Sequence, residues 1–302
     1  MLAPARFVAD RARGAWGAPT GVRLDAGRAH FQHGPIDLVI AVKAQELAIE
    51  AALVAAWERF DGLLEELVSE LPRLRAPVDR SKDLRGPVAR RMADACRAHL
   101  PEFITPMAAV AGAVADEIIT EIAATPGIQR AYVNNGGDIA IFLSPGERFR
   151  IGMVADPLRA MRHGHAFALD GTFEIDALLP VRGVATSGWR GRSWSLGIAD
   201  SVTVLARDAA TADAAATMIA NAVNVDHASV KRAPAESVDD NTDLGDRLIT
   251  LDVGSLDRAS IEQALDRGVA RAQGLVAQGI VWGAALMLQD RHRVVGGLLA
   301  LP

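Results

Sequence analysis

Apolar and polar residues alternate through Ile36 to Lys43, IDLVIAVK, the period-two pattern of a half-buried strand. From Gln45 to Glu70 the period changes. Leu47, Ala51, Val54, Trp57, Leu64 and Leu67 recur at helical spacing and predict one long amphipathic helix that Pro72 ends. Upstream, Val22 to Asp25 and Ala29 to Gln32 predict a hairpin across Ala26-Gly27, preceded by an irregular arm over residues 1 to about 20. Downstream, Val88 to Leu100 reads as a helix, and Ile104 to Ala124 as another opened by Thr105-Pro106. Arg130 to Val133 and Asp138 to Leu143 are strands around Asn134-Asn135-Gly136-Gly137, and Asn-Gly is the strongest short hairpin signal. Further strands are expected at Phe149 to Val154, Ala166 to Ile175 and from Val181 to Thr186.

The stretch Ser201 to Arg207 is a β-branched run with the composition of a buried strand. It leads through Asp208, a cap or turn residue, into the Ala-rich helix Thr211 to Val223. A strand over Arg247 to Val253, a helix over Ser260 to Gln278 capped by Ser255, and a strand pair over Ile280 to Leu288 and Arg293 to Val295 close the chain. Helices are interspersed with strands joined mostly by short turns. The pattern therefore predicts an α+β fold of mostly antiparallel sheets flanked by helices rather than a doubly wound sheet.

Composition narrows this picture in a few places. The chain has 302 residues, 50% hydrophobic and 23% charged, which is an ordinary globular profile. Its length allows two average domains, but we read residues 1–302 as one domain with room for two lobes. The formal net charge of -5 gives no global basic signature of a nucleic-acid partner. The single cysteine, Cys96, permits neither an internal disulfide nor a multi-cysteine metal site, and fits the reducing cytoplasm. No apolar run has signal-peptide or bilayer length, so a cytoplasmic protein without a membrane partner is expected. A homo-oligomer stays open. The acidic stretch Glu236 to Asp246 reads as a solvated loop, and its spacing excludes an EF-hand.

Candidate chemistry falls in a few segments. Asp213 and Thr217 share one helix face about a turn apart, and offer two hard oxygen donors to a magnesium ion or a phosphate-bearing ligand. The alternative is local: a carboxylate near a helix N-terminus and a hydroxyl bonding back along the helix. Ala108 to Ala115 is built from Ala, Val and Gly112, and admits a second backbone or a flat ligand at close range, with Asp116 following. Asn135, Gly136, Gly137 and Asp138 form either a plain turn or a glycine pair whose N–H groups meet a ligand. Thr186, Ser187 and Gly188, with Arg190 and Arg192, could hold a diphosphate, and Trp189 and Trp194 could cover a base or ring. A plain loop is the competing reading there. The basic run from Arg73 to Arg91 is a solvated loop or a phosphate grip, and His163-x-His165 lacks a third metal ligand.

In this order, the small-residue segment with Gly112 and Asp116, NNGGD, ATSG, and a strand followed by ADAAAT resemble the ApbE-like superfamily of FAD:protein FMN transferases. The likeness covers residues 104 to 223. GRAHFQHGPIDL and DDNTDLGD extend it, and resemble an uncharacterised, signal-less branch of that superfamily. The resemblance implies an ApbE-like, T-fold-like architecture with a flavin dinucleotide site. It implies Mg2+ held by Asp213, Thr217 and a main-chain carbonyl near the small-residue segment. It implies transfer of the FMN half of FAD to a Thr or Ser hydroxyl of a cytoplasmic protein, releasing AMP. Gly112, Asn135 to Asp138, Thr186 to Gly188 and Arg192 would bind the dinucleotide. Two departures matter. Ala111 stands where the transferases carry Lys, and WRGRSWSLGIAD holds no His where they have one. A flavin- or nucleotide-binding module without transfer, or an assembly protein that retains the fold, are the alternatives.

Overall fold

In the computed structural model the described residues are 6–7, 16–25, 27–153, 171–191 and 193–297. The chain opens with β1 (Arg6–Phe7), β2 (Thr20–Asp25), β3 (Arg28–His33) and β4 (Ile36–Lys43), each antiparallel to the next. β4 alternates buried and half-buried positions, as its period-two pattern requires. Within the stretch expected as an irregular arm, the described residues 6–7 are a strand: Phe7 pairs with Gly21, and its ring lies 5.0 Å from Phe31 and 5.5 Å from Trp57. An aromatic cluster anchors that strand where its two-residue length could not.

The expected single helix over 45–70 is broken. α1 (Glu46–Phe60) stops at Asp61, and α2 (Leu63–Ser69) starts after Gly62, whose φ is 93°. Glycine takes that left-handed conformation at little cost, so the apolar period continues across a kink. α3 (Leu71–Leu74) has Pro72 in its first turn instead of being excluded by it. α4 (Pro87–Arg97) follows a loop held by the buried Glu70, whose two carboxylate oxygens accept the N–H groups of Gly86 and Arg85, each at 2.8 Å. A 3-10 turn over Pro106–Ala109 opens α5 (Val110–Ala124). β5 (Arg130–Asn135) and β6 (Asp138–Leu143) then form the expected hairpin, and β5 lies antiparallel to β4.

β7 (Arg148–Met153) and β8 (Gly171–Asp176) make a two-stranded sheet, and the expected strand residues 166–170 fall outside the described residues. β9 (Gly183–Ser187) pairs antiparallel with β6. β10 (Ser201–Ala206) is buried at every position, and α6 (Ala209–Ala222) follows it. β11 (Val230–Pro234) and β12 (Leu248–Val253) form an antiparallel ribbon. α7 (Arg258–Ala277) is capped by Asp257, whose carboxylate accepts the Ser260 N–H at 3.0 Å, rather than by Ser255. β13 (Val281–Leu288) and β14 (Arg291–Gly296) close the chain as an antiparallel pair, and β13 also pairs with β10. The class is α+β with mostly antiparallel sheet.

The chain divides into two compact units. The first draws on residues 1–148, 176–184 and 208–210, the second on 149–175, 185–207 and 211–302. The core of the first holds Phe31, Leu38, Ile40, Leu53, Phe60, Ile118 and Ile122. That of the second is made by β10, α6, α7 and β13, through residues such as Ile198, Val204, Ile219, Leu265 and Leu286. No helix of the described residues is long and apolar enough to cross a membrane.

Candidate functional site

α6 is the element on which the candidate chemistry stands. Ala212, Ala214, Ala215, Ala216, Ile219 and Ala220 are wholly buried. Asp213, Thr217, Asn221 and Ala222 are the half-exposed positions of the helix. The first three recur every four residues and therefore form one stripe. Asn221 is committed locally: its Oδ1 accepts the Leu196 N–H at 2.9 Å and the Ser195 hydroxyl at 3.3 Å. A carboxylate and a hydroxyl thus lie where an otherwise buried helix surfaces. Among the described residues no group of three or more His, Cys, Asp or Glu is arranged to hold a metal. A carboxylate and a hydroxyl on one helix face are hard oxygen donors, of the kind that oxygen-coordinated divalent cations take.

The N-terminus of α6 is anchored within the first unit. Asp116 on α5 is 7% exposed, and its Oδ1 and Oδ2 accept the N–H groups of Ala209 and Ala210 at 2.9 and 2.8 Å. The first N–H groups of a helix have no intrahelical acceptor, so a remote carboxylate satisfies them here. Burial pushes the Asp116 carboxyl up to about 6; the two N–H donors oppose the rise, Asp208 adds to it and Arg91 opposes it. Two glycines fit against the same backbone. A Cβ on Gly112 would lie 2.2 Å from the Ala209 carbonyl oxygen, and one on Gly183 would lie 2.0 Å from that of Asp208. Gly112, read as a point of close approach, is close to backbone. Beside Asp116, the buried Glu117 accepts from Arg59 Nε and Arg91 Nη1, each at 2.7 Å. Burial raises its carboxyl, but the hydrogen bonds from Arg91 and Arg59 outweigh that and hold it below the usual range. Arg91 of the basic run is thus engaged with Glu117.

The NNGGD segment is a two-residue hairpin turn. Asn135 pairs with Asp138 across Gly136 and Gly137, whose φ values are 65° and 118°. Positive φ at both positions is the requirement of a type I′ turn, which glycine meets. Asn134 Oδ1 accepts the Gly137 N–H at 2.8 Å, and buried Asn135 donates from Nδ2 to the Ala111 carbonyl at 3.1 Å. Asn135 thereby ties β5 to the small-residue end of α5. Asp138 is half-exposed at the start of β6.

In the second unit, Thr186 is exposed and its hydroxyl lies 2.9 Å from that of Thr203. Ser187 is half-exposed, and Gly188 is buried with no room for a Cβ, which would lie 2.4 Å from the Asp200 carbonyl oxygen. Asp200 organises the loop beyond. Its Oδ1 accepts from Trp189 Nε1 at 3.1 Å and from Arg190 Nε at 2.8 Å, and its Oδ2 accepts from the Gln289 N–H. The Arg190 guanidinium carbon stands 4.6 Å from the Trp189 ring centroid. Arg192, His163 and His165 lie outside the described residues. His30 is paired with Asp37 at 3.0 Å and His33 contacts the Gly17 carbonyl at 3.2 Å.

The structure thus makes one set of Gly112, Asn135 and the NNGGD turn, and another of the Thr186-to-Arg190 loop with Asp200. Three residues went unsignalled as anchors: Asp116 in its capping role, Gly183 and Asp200. The signal for Asp116 is its place with Glu117 in the apolar run of α5, since carboxylates packed inside a helix layer need donors from elsewhere.

A family described as AbpE bacteria matches residues 22–294. The UPF0280 protein of Methanothrix thermoacetophila is 38% identical over 212 residues, covering 68% of this chain and 81% of that one. The UPF0280 protein of Methanopyrus kandleri is 35% identical over 211 residues, covering 68% and 78%. Against the apo crystal structure of the Pseudomonas stutzeri flavinyl transferase ApbE, identity is 12% and the TM-score 0.39, over 98% of this chain and 95% of that one.

Proposed function

The chain belongs to the bacterial AbpE family, within the ApbE-like superfamily, and on that premise we propose that it is a magnesium-dependent protein that uses FAD in the cytoplasm. The observation that carries the reading is the half-exposed stripe of α6 that bears Asp213 and Thr217, while the positions around them are buried. Bound magnesium would offset the negative charge of the dinucleotide diphosphate. We assign Asp213 and Thr217 to the metal. Thr186, Ser187, Gly188 and Arg192 are assigned to the dinucleotide, supported by their hydroxyls, the strand end and the adjacent Trp189–Arg190 stack. Gly112, Asn135, Gly136, Gly137 and Asp138 join that assignment on the order of their motifs. The contacts of Gly112 and Asn135 give those two a scaffold role as well.

In the transferase form of the reading, the oxygen of a Thr or Ser hydroxyl on an acceptor protein bonds to the FMN phosphorus. The bond from that phosphorus to the bridging oxygen breaks, and AMP leaves with the electron pair. The hydroxyl proton must pass to a base. A guanidinium, as at Arg192, is not a base that can take it. Ala111, in place of the family's Lys, supports the second reading, in which FAD is bound without transfer.

Mass spectrometry of ligand released by denaturation, from protein prepared with and without magnesium, tests the shared part. FAD retained with magnesium and lost on chelation is expected, and no affinity for any flavin refutes it. Incubation with FAD, magnesium and candidate acceptor proteins separates the two forms. AMP with a flavinylated acceptor marks transfer, and intact FAD marks binding alone.

A further inference from the structure

We propose that Arg190 grips a phosphate of the ligand with its two terminal nitrogens, and that Asp200 and Gln289 are the positioning residues that hold it ready. The inference rests on the dinucleotide reading, and all of its residues belong to the second unit. The Arg190 side chain is 46% exposed on the loop after β9. Its Nε donates to Asp200 Oδ1 at 2.8 Å, and its guanidinium carbon lies 4.6 Å from the Trp189 ring centroid. Neither terminal nitrogen has a hydrogen-bond partner among the described residues. A guanidinium fixed through Nε and one face keeps its outer pair of N–H donors, the fork that matches two oxygens of a phosphate. An arginine held this way before the ligand arrives has less rotamer freedom to lose on binding. Exposed Thr186 and half-exposed Ser187 stand just before it in the chain.

The support is rigid. Asp200 divides its carboxylate among three donors: Trp189 Nε1 at 3.1 Å, Arg190 Nε and the Gln289 N–H. Its own N–H donates to the Met287 carbonyl at 2.9 Å, and the Trp189 N–H donates to the Ala199 carbonyl at 3.0 Å. Gln289 carries the strain. It opens the β13–β14 turn at a φ of 53°, a region that residues other than glycine seldom take. Glycine or asparagine is the ordinary choice for such a turn. The longer glutamine does what they cannot: its Nε2 donates to the Gly254 carbonyl at 2.9 Å while its backbone N–H meets Asp200 Oδ2. Strained backbone persists where surrounding contacts over-determine it, and it gathers at ligand sites.

The test uses the full-length protein and titration of flavin fluorescence with FAD and with riboflavin, which has the same ring and no phosphate. Arg190→Lys keeps a positive charge but loses the Nε bond, the stack and the paired donors. We expect it to weaken FAD about tenfold, the loss of one hydrogen bond to a charged group, and to leave riboflavin unchanged. Gln289→Gly takes the left-handed conformation freely, so Tm should hold or rise. The tie to Gly254 is then gone, and FAD should weaken about threefold as the turn gains freedom. A turn residue of merely structural importance would not lose FAD affinity while stability holds. Wild-type FAD affinity in Arg190→Lys, or an equal loss for riboflavin, overturns the inference alone. Wild-type FAD affinity in Gln289→Gly overturns the positioning role. If riboflavin binds neither protein measurably, the FAD ratio decides by itself. Wild-type protein that binds no flavin overturns the dinucleotide reading, and the inference with it.

Discussion

Gly112→Ala sets two effects of opposite sign against each other. In the interior of an exposed helix the change stabilises by about 1 kcal/mol, because glycine has more backbone freedom to lose. Here the new Cβ would lie 2.2 Å from the Ala209 carbonyl oxygen, 2.5 Å from its carbon and 2.8 Å from the Ala210 nitrogen. All three are backbone atoms, so no side chain can swing away. Ordinary contact begins at 3.4 Å, so the start of α6 must retreat from α5 by roughly 1 Å. The Asp116 hydrogen bonds, now 2.9 and 2.8 Å, would then pass beyond bonding range. Overpacking costs about 1–3 kcal/mol, and each hydrogen bond to a charged group about 1.5–3 kcal/mol. With partial relaxation, and after subtracting the helix gain, the net loss is about 3 kcal/mol, or roughly 6–12 °C in Tm for a unit of this size. Thermal unfolding followed by calorimetry, with hydrogen exchange to place the change at 209–216, measures it. An unchanged or higher Tm would refute the close-approach argument, because propensity alone would then govern the site.

Other outcomes follow from the same contacts. With Asp116 at about 6 in the folded protein and 3.8 as its reference, the folded chain keeps a proton that the unfolded chain releases between those values. Its contribution to stability is therefore present below about pH 4 and lost as pH rises through about 6, by about 3 kcal/mol. Denaturant titrations from pH 4 to 7 on wild type and Asp116→Asn should differ by that slope, and parallel curves would contradict it. Glu117→Gln leaves Arg59 and Arg91 facing a neutral amide. A loss of about 3 kcal/mol is expected in urea unfolding, as for breaking a buried pair, and a loss below 1 kcal/mol would show the network to be surface-like. Gly137→Ala puts a side chain at a φ of 118° with open space around it, so only backbone strain acts. A loss of about 1–3 kcal/mol should appear in the same assay, and a neutral result would mean that the turn readjusts freely.

Much of the secondary structure is legible in the sequence because it is set by near neighbours. The alternation in IDLVIAVK yields β4, Asn-Gly-Gly yields the β5–β6 turn, and the Ala-rich run yields α6. The break at Gly62 is not legible by periodicity, since the apolar stripe continues through it and only the left-handed backbone ends the helix. Strand β1 depends on Phe7 meeting Phe31 and Trp57, contacts distant in the chain. Asp257 and Ser255 are both sound caps by residue type, and backbone geometry chooses Asp257.

The candidate site divides in the same way. The sequence by itself determined the chemistry on offer: a carboxylate and a hydroxyl one turn apart at Asp213 and Thr217, the glycines, and the ordered motifs of a family. Whether that pair faced solvent or core was beyond it, because helical spacing fixes only that the two share a face. Tertiary packing decided which face, by burying Ala212, Ala214, Ala216 and Met218 and leaving one stripe open. It also decided what caps the start of the helix. The acceptors for the Ala209 and Ala210 N–H groups come from a residue 93 and 94 positions away. No local pattern carries such a pairing, since a buried carboxylate becomes tolerable only once the fold has brought its donors to it.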